Sequence, residues 1–535
     1  MATKVSNDAL ALQRLYHWER TAPDRVAFTQ PIGGGQVVDI TWRQVMDQTR
    51  RIAAYLQAQG FEPGDRVALI SKNTAHWMMA DFATWLAGCV SVPLYPTLAP
   101  NTIRQILEHS GAKLLFVGKL DGWDHMKPGI PAGLPCVSHP LSPDDAKRSY
   151  TAWDDIVAKT KPLAGEPVRP ADDLSTIMYT SGTTGAPKGV MHTFGNFAGA
   201  VTAGLRRIPM TAESRMLSYL PLSHVVERAL VEHGQLATGM RVYFAESLDT
   251  FTADLQRARP TVFFSVPRLW VKFQQGVNHK MPQKKLDLFL KLPIMSGVVK
   301  KKILGALGLD QGEGSALSDN TAPSRPPDGA PHAFGTVGLP YDETQCRLDP
   351  TTGEIQSKAP WNMLGYYREP ELTKEAFTED GWLKTGDKGA TDAKGRLKIT
   401  GRVKDLFKTS KGKYVAPAPI EDKLVMHVAV EACCVTGANL GQPLALLMLN
   451  EEATKQVKAG GQAELEASLT EHLKAVNEHL DPHEQLDCLV VTTEPWTVDN
   501  DLITPTFKVK RNRIEDMFAA NYEAWVGQRK KVIWR

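Results

Sequence analysis

Between residues 41 and 117 the chain repeats one pattern, a helix-period stretch followed by a short apolar run. Thr41 is placed to cap a helix carrying Trp42, Val45, Met46, Ile52, Ala53 and Leu56 at helical spacing, with Gly60 as its C-terminal stop. Pro63-Gly64-Asp65 then turns the chain into an apolar run over Arg66–Ser71. The spacing predicts further helices over about 75–88 and 101–110, leading to strands at Val90–Leu94 and Lys113–Val117. Strands that alternate with helices demand an α/β fold with a largely parallel sheet. The pattern resumes at Met216–Leu220, Arg241–Phe244 and Thr261–Ser265. It breaks at 310–334, a run rich in Gly, Pro, Ser and Asp that reads as a long loop. From Gly335 the chain reads as β-rich. From about Lys404 it mixes strands at Ala432–Thr436 and Leu444–Leu449 with a helix over about Ala463–Asn477.

At 535 residues the chain is too long for one ordinary core and predicts two to four structural units. A formal charge of +3 gives no reason to expect a nucleic-acid partner. No window offers the roughly 18 uncharged apolar residues of a transmembrane helix. The best candidate, Trp77 to Pro96, is interrupted by Asp81. The N-terminus lacks the apolar run of a signal peptide. The six cysteines form no CxxC pair and read as free thiols of a reducing compartment, so a cytoplasmic location is expected.

The most informative segment is Tyr179-Thr-Ser-Gly-Thr-Thr-Gly-Ala-Pro-Lys-Gly-Val190. Glycines let backbone N–H groups approach an anion, hydroxyls donate hydrogen bonds, and Lys188 adds a positive charge. Thr180, Ser181, Gly182, Thr183, Thr184, Gly185 and Lys188 thus form a candidate polyphosphate loop. It is not a Walker A loop: Lys188 is followed by Gly189, and the glycine spacing differs.

This segment resembles the phosphate-binding signature of the adenylate-forming superfamily, and the resemblance continues along nearly the whole chain. Tyr219-Leu-Pro-Leu-Ser-His-Val-Val-Glu-Arg228 resembles the block whose histidine, here His224, lies near the substrate carboxylate. Pro260–Trp270 is similar to a block of long-chain members. Asp387, in Gly381-Trp-Leu-Lys-Thr-Gly-Asp387, matches the aspartate that holds the ribose hydroxyls, and a carboxylate can accept both hydrogen bonds of a cis-diol. Ile399–Pro417 resembles a domain junction. There Arg402 matches the nucleotide-contacting arginine and Lys404 the hinge, while Lys408, Ser410 and Gly412 match a loop that meets the thiol substrate. Lys508 matches the catalytic lysine, with Lys510 the weaker choice.

The resemblance implies a large N-terminal lobe of α/β sheets with a β-rich subdomain over residues 1–403, and a small mobile α+β domain over 404–535 that rotates about Lys404. It implies ATP, Mg²⁺ and coenzyme A: a carboxylate attacks the ATP α-phosphate, pyrophosphate leaves, and a thiol displaces AMP. A long-chain fatty acid is the expected acid, without a transmembrane segment and compatible with peripheral membrane contact. Two alternatives stay open: loading of an acyl carrier protein, and a non-catalytic acyl- or nucleotide-binding protein.

The second alternative arises where the chain departs from the family. Glu313-Gly-Ser-Ala-Leu-Ser-Asp-Asn320 aligns with a block that reads Glu-Gly-Tyr-Gly-Met-Thr-Glu-Asn in many long-chain members. Ser315 stands for the adenine-stacking tyrosine, Ser318 for the phosphate-contacting threonine, and Asp319 for the magnesium-binding glutamate. The small-residue adenine loop and its helix have no counterpart, and loss of a strand predicts an opened sheet edge. A specialised variant, a weakened enzyme and an inactive copy all fit this departure.

Overall fold

The computed structural model describes residues 5–181, 186–266, 269–270, 273–274, 276–277, 281, 283–311, 316–317, 337–504 and 508–535. The chain forms two compact units. The first comprises Met1–His332, Pro340–Gln345 and Lys358–Gly381, and the second Ala333–Leu339, Cys346–Ser357 and Trp382–Arg535.

In the first unit a hairpin of β1 (Val26–Gly33) and β2 (Gln36–Thr41) feeds α1 (Trp42–Ala58). Thr41 closes a reciprocal capping box with Gln44, as its position predicted. The expected alternation follows: β3 (Arg66–Ile70), α2 (Ala75–Leu86), β4 (Val90–Leu94), α3 (Pro100–Ser110) and β5 (Leu114–Val117). With β6 (Cys136–Ser138), β7 (Thr151–Ala152), β8 (Leu174–Ser181) and β9 (Pro187–Thr193) these strands build the larger sheet. Its order is β9-β8-β4-β3-β5-β6-β7, with Gly365–Tyr366 added beyond β9. Every pairing from β8 through β4 to β7 is parallel, while β8 and β9 form an antiparallel hairpin. Helix α2 is buried at every residue except the half-buried His76, which explains its near-continuous hydrophobicity.

After β9 come α4 (Phe194–Arg207), β10 (Arg215–Ser218) and β11 (Arg241–Phe244), the last two joining β1 and β2 in a second sheet. Between them a helix runs over 225–238 and widens into a π-helical turn at Arg228–His233. Helix α5 (Phe251–Ala258) precedes β12. The strand expected over Thr261–Ser265 contracts to β12 (Phe263–Phe264), which pairs in parallel with β13 (Ala316–Leu317). The loop expected over 310–334 therefore contains a strand at Ala316–Leu317, and β12 with β13 forms a separate two-stranded sheet. Between β12 and β13 lies a helical hairpin, α6 (Gln283–Lys291) and α7 (Pro293–Leu307), that the periodicity did not reveal.

The second unit is β-rich at its start, as expected. β14 (Gln345–Leu348), β15 (Glu354–Lys358), β16 (Leu383–Thr391) and β17 (Leu397–Arg402) form one sheet in that order. A short hairpin follows, β18 (Phe407–Lys408) with β19 (Tyr414–Val415), then α8 (Pro417–Leu424). β20 (Val430–Thr436), β21 (Leu444–Leu449), β22 (Leu489–Thr492) and β23 (Val532–Trp534) make a sheet against which α9 (Gln462–Asn477) and α10 (Arg511–Phe518) pack. All six cysteines are free, five of them buried and Cys346 exposed. Among the described residues no helix is long and apolar enough to cross a membrane.

Candidate functional site

The β8–β9 hairpin carries the candidate phosphate loop. Thr180 lies opposite Lys188 across it. Gly189 must be glycine, because a Cβ there would stand 2.8 Å from Ile177 Cγ2 and 3.1 Å from the Tyr179 ring. Tyr179 is held by a 2.7 Å hydrogen bond to His109 Nδ1 on α3, and Tyr367 N–H donates to Gly189 O at 2.7 Å. Both ends of the loop are thus fixed to the sheet. The Lys188 ammonium lies 5.9 Å from the Tyr366 ring centroid, a cation–π contact that aims a long side chain. Gly182, Thr183, Thr184 and Gly185 lie outside the described residues, as do Ser318 and Asp319; of Ser181 only the backbone is described.

His224 caps the 225–238 helix, its Nδ1 accepting from Val226 N–H at 3.3 Å. A neutral imidazole so held carries its proton on Nε2. Glu227, one turn on, is buried and accepts from Ser218 Oγ at 2.8 Å and Tyr219 N–H at 3.0 Å. Burial pushes its carboxyl up to about 8, against those two donors.

Arg228 is the centre of a cluster that sequence reasoning passed over. Its guanidinium, wholly buried, donates to Asp81 on α2, to Glu232 at 3.1 Å and to Thr176 Oγ1 on β8 at 2.7 Å. Trp77, Trp85 and Phe197 surround it with rings at 5.4, 5.7 and 5.8 Å. Burial, and then the charge of Asp81, raise the Glu232 carboxyl well above its ordinary value. Burial raises Asp81 as well, but the guanidinium and a hydrogen bond from Glu232 favour its anion. Burial and the neighbouring acid both favour the protonated form of Glu232, and the guanidinium favours the anion of Asp81. The signal was present as a lone acid inside an apolar helix and an Arg–Glu pair at i,i+4.

The second unit gathers its own set. Asp387 on β16 faces Arg402 on β17 in register, with Arg402 Nε 3.1 Å from the Asp387 carboxylate. Burial raises the Asp387 carboxyl, while Arg402 first and Lys508 second pull it down, so all three share one field. Lys508 is exposed on a small hairpin closed by the Ile503–Val509 bridge. Lys510 is engaged otherwise, in an ion pair with Asp501. Lys404 sits exposed in the turn after β17. Lys408 lies 4.8 Å from the Tyr414 ring. The loop after β18 closes through Gly412 N–H to Thr409 O at 2.9 Å, with Gly412 left-handed at φ +73° and Ser410 N–H donating to Leu440 O at 2.8 Å. The role of a second, partly buried arginine escaped sequence reasoning: Arg511 binds Glu421 at 2.6 Å and reaches Asp405 at 3.9 Å, tying the turn after Lys404 to α10. Thus Thr180, Lys188 and His224 lie in the first unit, and Asp387, Arg402, Lys404, Lys408, Gly412 and Lys508 in the second.

Carboxylate, guanidinium and ammonium around one point suit a ribose and phosphate ligand, and the anchored Gly/Thr/Ser hairpin suits a polyphosphate. Among the described residues no group of three or more His, Cys, Asp or Glu could hold a metal by itself. A magnesium ion that keeps waters and phosphate oxygens needs no such cage.

The profile of AMP-binding enzymes matches residues 15–367, and that of the AMP-binding enzyme C-terminal domain matches 404–527. A long-chain-fatty-acid--CoA ligase of Mycobacterium bovis (FadD15) is 28% identical, covering 95% of this chain and 96% of its own. That alignment runs over 589 positions, more than the chain's 535 residues, so the relative carries segments this chain has not. The peroxisomal long chain acyl-CoA synthetase 6 of Arabidopsis thaliana is 28% identical over 91% of this chain and 81% of its own. Among solved structures, the adenylation domain of a carboxylate reductase from Mycobacterium chelonae superposes with a TM-score of 0.76 at 22% identity, covering 97% of this chain and 91% of that one. The O-succinylbenzoate coenzyme A synthetase of Bacillus subtilis, in complex with AMP, gives 0.69 at 22% identity over 94% and 98%. These likenesses show the adenylate-forming fold.

Proposed function

The chain belongs to the AMP-binding enzyme family, and from that premise we propose that it activates a long-chain fatty acid with ATP and passes the acyl group to coenzyme A. The observation that carries this reading is the placement of Asp387, Arg402 and Lys508 in one electrostatic field, with an anchored phosphate hairpin around Lys188 elsewhere in the chain. Asp387 accepts the ribose hydroxyls, Arg402 and Lys508 offset charge on the α-phosphate, and the hairpin holds the β- and γ-phosphates. Charge accumulates on phosphoryl oxygens as the carboxylate attacks, so fixed cations and N–H donors supply most of the catalysis. His224 orients the acid through its Nε2 proton. A magnesium ion carried in with the triphosphate would supply further charge offset; the residue expected to touch it, Asp319, lies outside the described residues. Rotation about Lys404, which presents the Lys408–Gly412 loop to the thiol, and a cytoplasmic location belong to the same proposal.

The chain-length assignment leans on the long-chain character of 219–228 and 260–270 and on the names of the relatives. The test is AMP and pyrophosphate release by purified protein with ATP, Mg²⁺ and coenzyme A across a graded panel of fatty acids. Palmitate and oleate are expected to give the highest rates. Absence of acid-dependent AMP release with every acid would sink the proposal. Replacing coenzyme A by a phosphopantetheinylated carrier protein in the same assay separates the carrier-loading reading.

A further inference from the structure

We infer that the α6–α7 hairpin is a docking surface for an anionic lipid bilayer. Large aliphatic side chains are exposed here at unusual density: Leu288 and Val298 at 57% each, with Leu290, Leu292, Met295 and Leu304 between 37% and 45%. Scattered exposed leucines need no explanation, but a cluster within two adjacent short helices does. The same helices present Lys285, Lys291, Lys300, Lys301 and Lys302, all exposed. Asp287 is the one acid within 283–307. Both features lie on a mount that is held at its far end. Gln256 donates to Ala306 O at 2.7 Å, Arg259 pairs with Asp310 at 2.7 Å, and Gly308 packs so close to the Leu255–Gln256 backbone that a Cβ would stand 2.6 Å away.

The chemistry selects the occupant. Protein interfaces favour aromatic residues and arginine and disfavour lysine. This surface is aliphatic and its cations are all lysines. Aliphatic side chains that enter the acyl boundary, flanked by lysines that reach the headgroups, are what an interfacial helix uses on an anionic membrane. The two helices have 9 and 15 residues, so each can lie in the interface but cannot span the hydrocarbon. The inference does not depend on the enzymatic proposal: vesicle binding is read without ATP, fatty acid or coenzyme A. It does give that proposal a source of substrate, because a long-chain fatty acid partitions into lipid.

The experiment is flotation of the full chain with phosphatidylcholine vesicles, with and without about one third phosphatidylglycerol. Strong binding is expected only to the anionic vesicles, with release when salt is raised from about 0.1 to about 0.5 M. Each lysine near such a surface is worth about fivefold in affinity, so Lys300→Gln, Lys301→Gln and Lys302→Gln together are expected to weaken binding on the order of a hundredfold. Leu288→Ser with Val298→Ser is expected to lower it further at any salt. Equal binding to both vesicle types, salt-insensitive binding, or a triple lysine variant that binds like the parent would overturn the inference. So would a concentration-dependent dimer without lipid that the serine variant dissolves, since a second copy would then be the occupant. If a variant unfolds, the salt response and lipid selectivity of the unaltered chain still decide.

Discussion

Replacing Arg228 by methionine is expected to be among the most damaging single changes available in the first unit. The side chain keeps its aliphatic length but loses three hydrogen bonds, to Asp81, Glu232 and Thr176. It also strips the guanidinium from a cluster in which Asp81 and Glu232 are both 0% exposed. Removing one partner of a buried pair costs about 3–5 kcal/mol, because the remaining charge has no compensation. At 2–4 °C per kcal/mol that is a fall in thermal midpoint of roughly 6–20 °C. Glu232→Gln is expected to behave oppositely. If Glu232 keeps its proton, a glutamine amide donates to Asp81 in its place and its carbonyl accepts from Arg228 Nε, so the change costs less than about 1 kcal/mol. Circular dichroism during thermal unfolding of parent and variants reads the change in midpoint. The reasoning fails if Arg228→Met stays within about 1 kcal/mol of the parent. It fails equally if Glu232→Gln is as damaging as Arg228→Met, since both acids would then be ionised.

Lys508→Ala is expected to slow acyl-adenylate formation about 10²–10³-fold while leaving thioester formation from supplied acyl-AMP, as measured by half-reaction assays. Survival of both half-reactions would remove Lys508 from the chemistry. Gly412→Ala meets no atom within 4 Å but forces a side chain onto φ +73°, a strain of about 1–2 kcal/mol. It is expected to slow the thioester step and spare adenylation, and equal loss in both would contradict the assignment of that loop. Burial lowers His76 to about 4 and holds His139 well below its ordinary value, so the folded unit refuses protons that the unfolded chain accepts below about pH 6.5. The contribution of the two histidines is therefore full above pH 6.5 and falls as pH drops toward 4, by roughly 3 kcal/mol for His76 alone, while Glu227, raised to about 8, acts in the opposite sense. The parent's denaturation midpoint is expected to fall relative to that of His76→Phe between pH 7, 6 and 5; identical profiles in the two proteins would refute this.

The parallel sheet was legible because each of its strands follows a helix whose period, cap and stop are local properties. Thr41 with Gln44, and the apolar runs at Arg66, Val90 and Leu114, needed no long-range information. Candidate site residues stand out in the sequence where several residue types converge in a short window, as in 179–190. Arg228 was read inside its block only as a terminal residue, because its partners Asp81 and Thr176 come from helices and strands 147 and 52 positions away. Arg511 was invisible for the same reason, its partner Glu421 being 90 positions away. Of the α6–α7 hairpin, α7 escaped because lysines interrupt its aliphatic residues at Val298–Leu304 and blur the periodicity on which such readings rest.

The helical hairpin is also the crossover that links two parallel strands, β12 and β13. Its sequence is constrained mainly at the ends, by Phe263–Phe264 on one side and by Gly308, Asp310 and Ala316–Leu317 on the other. Leu269, Trp270 and Phe273 pack against Phe251 and Phe263, and Leu286 and Val299 are buried, so exchange is open only at the exposed positions of α6 and α7. Polar residues placed at those positions alone are expected to change the surface chemistry of the unit while leaving both larger sheets as they are.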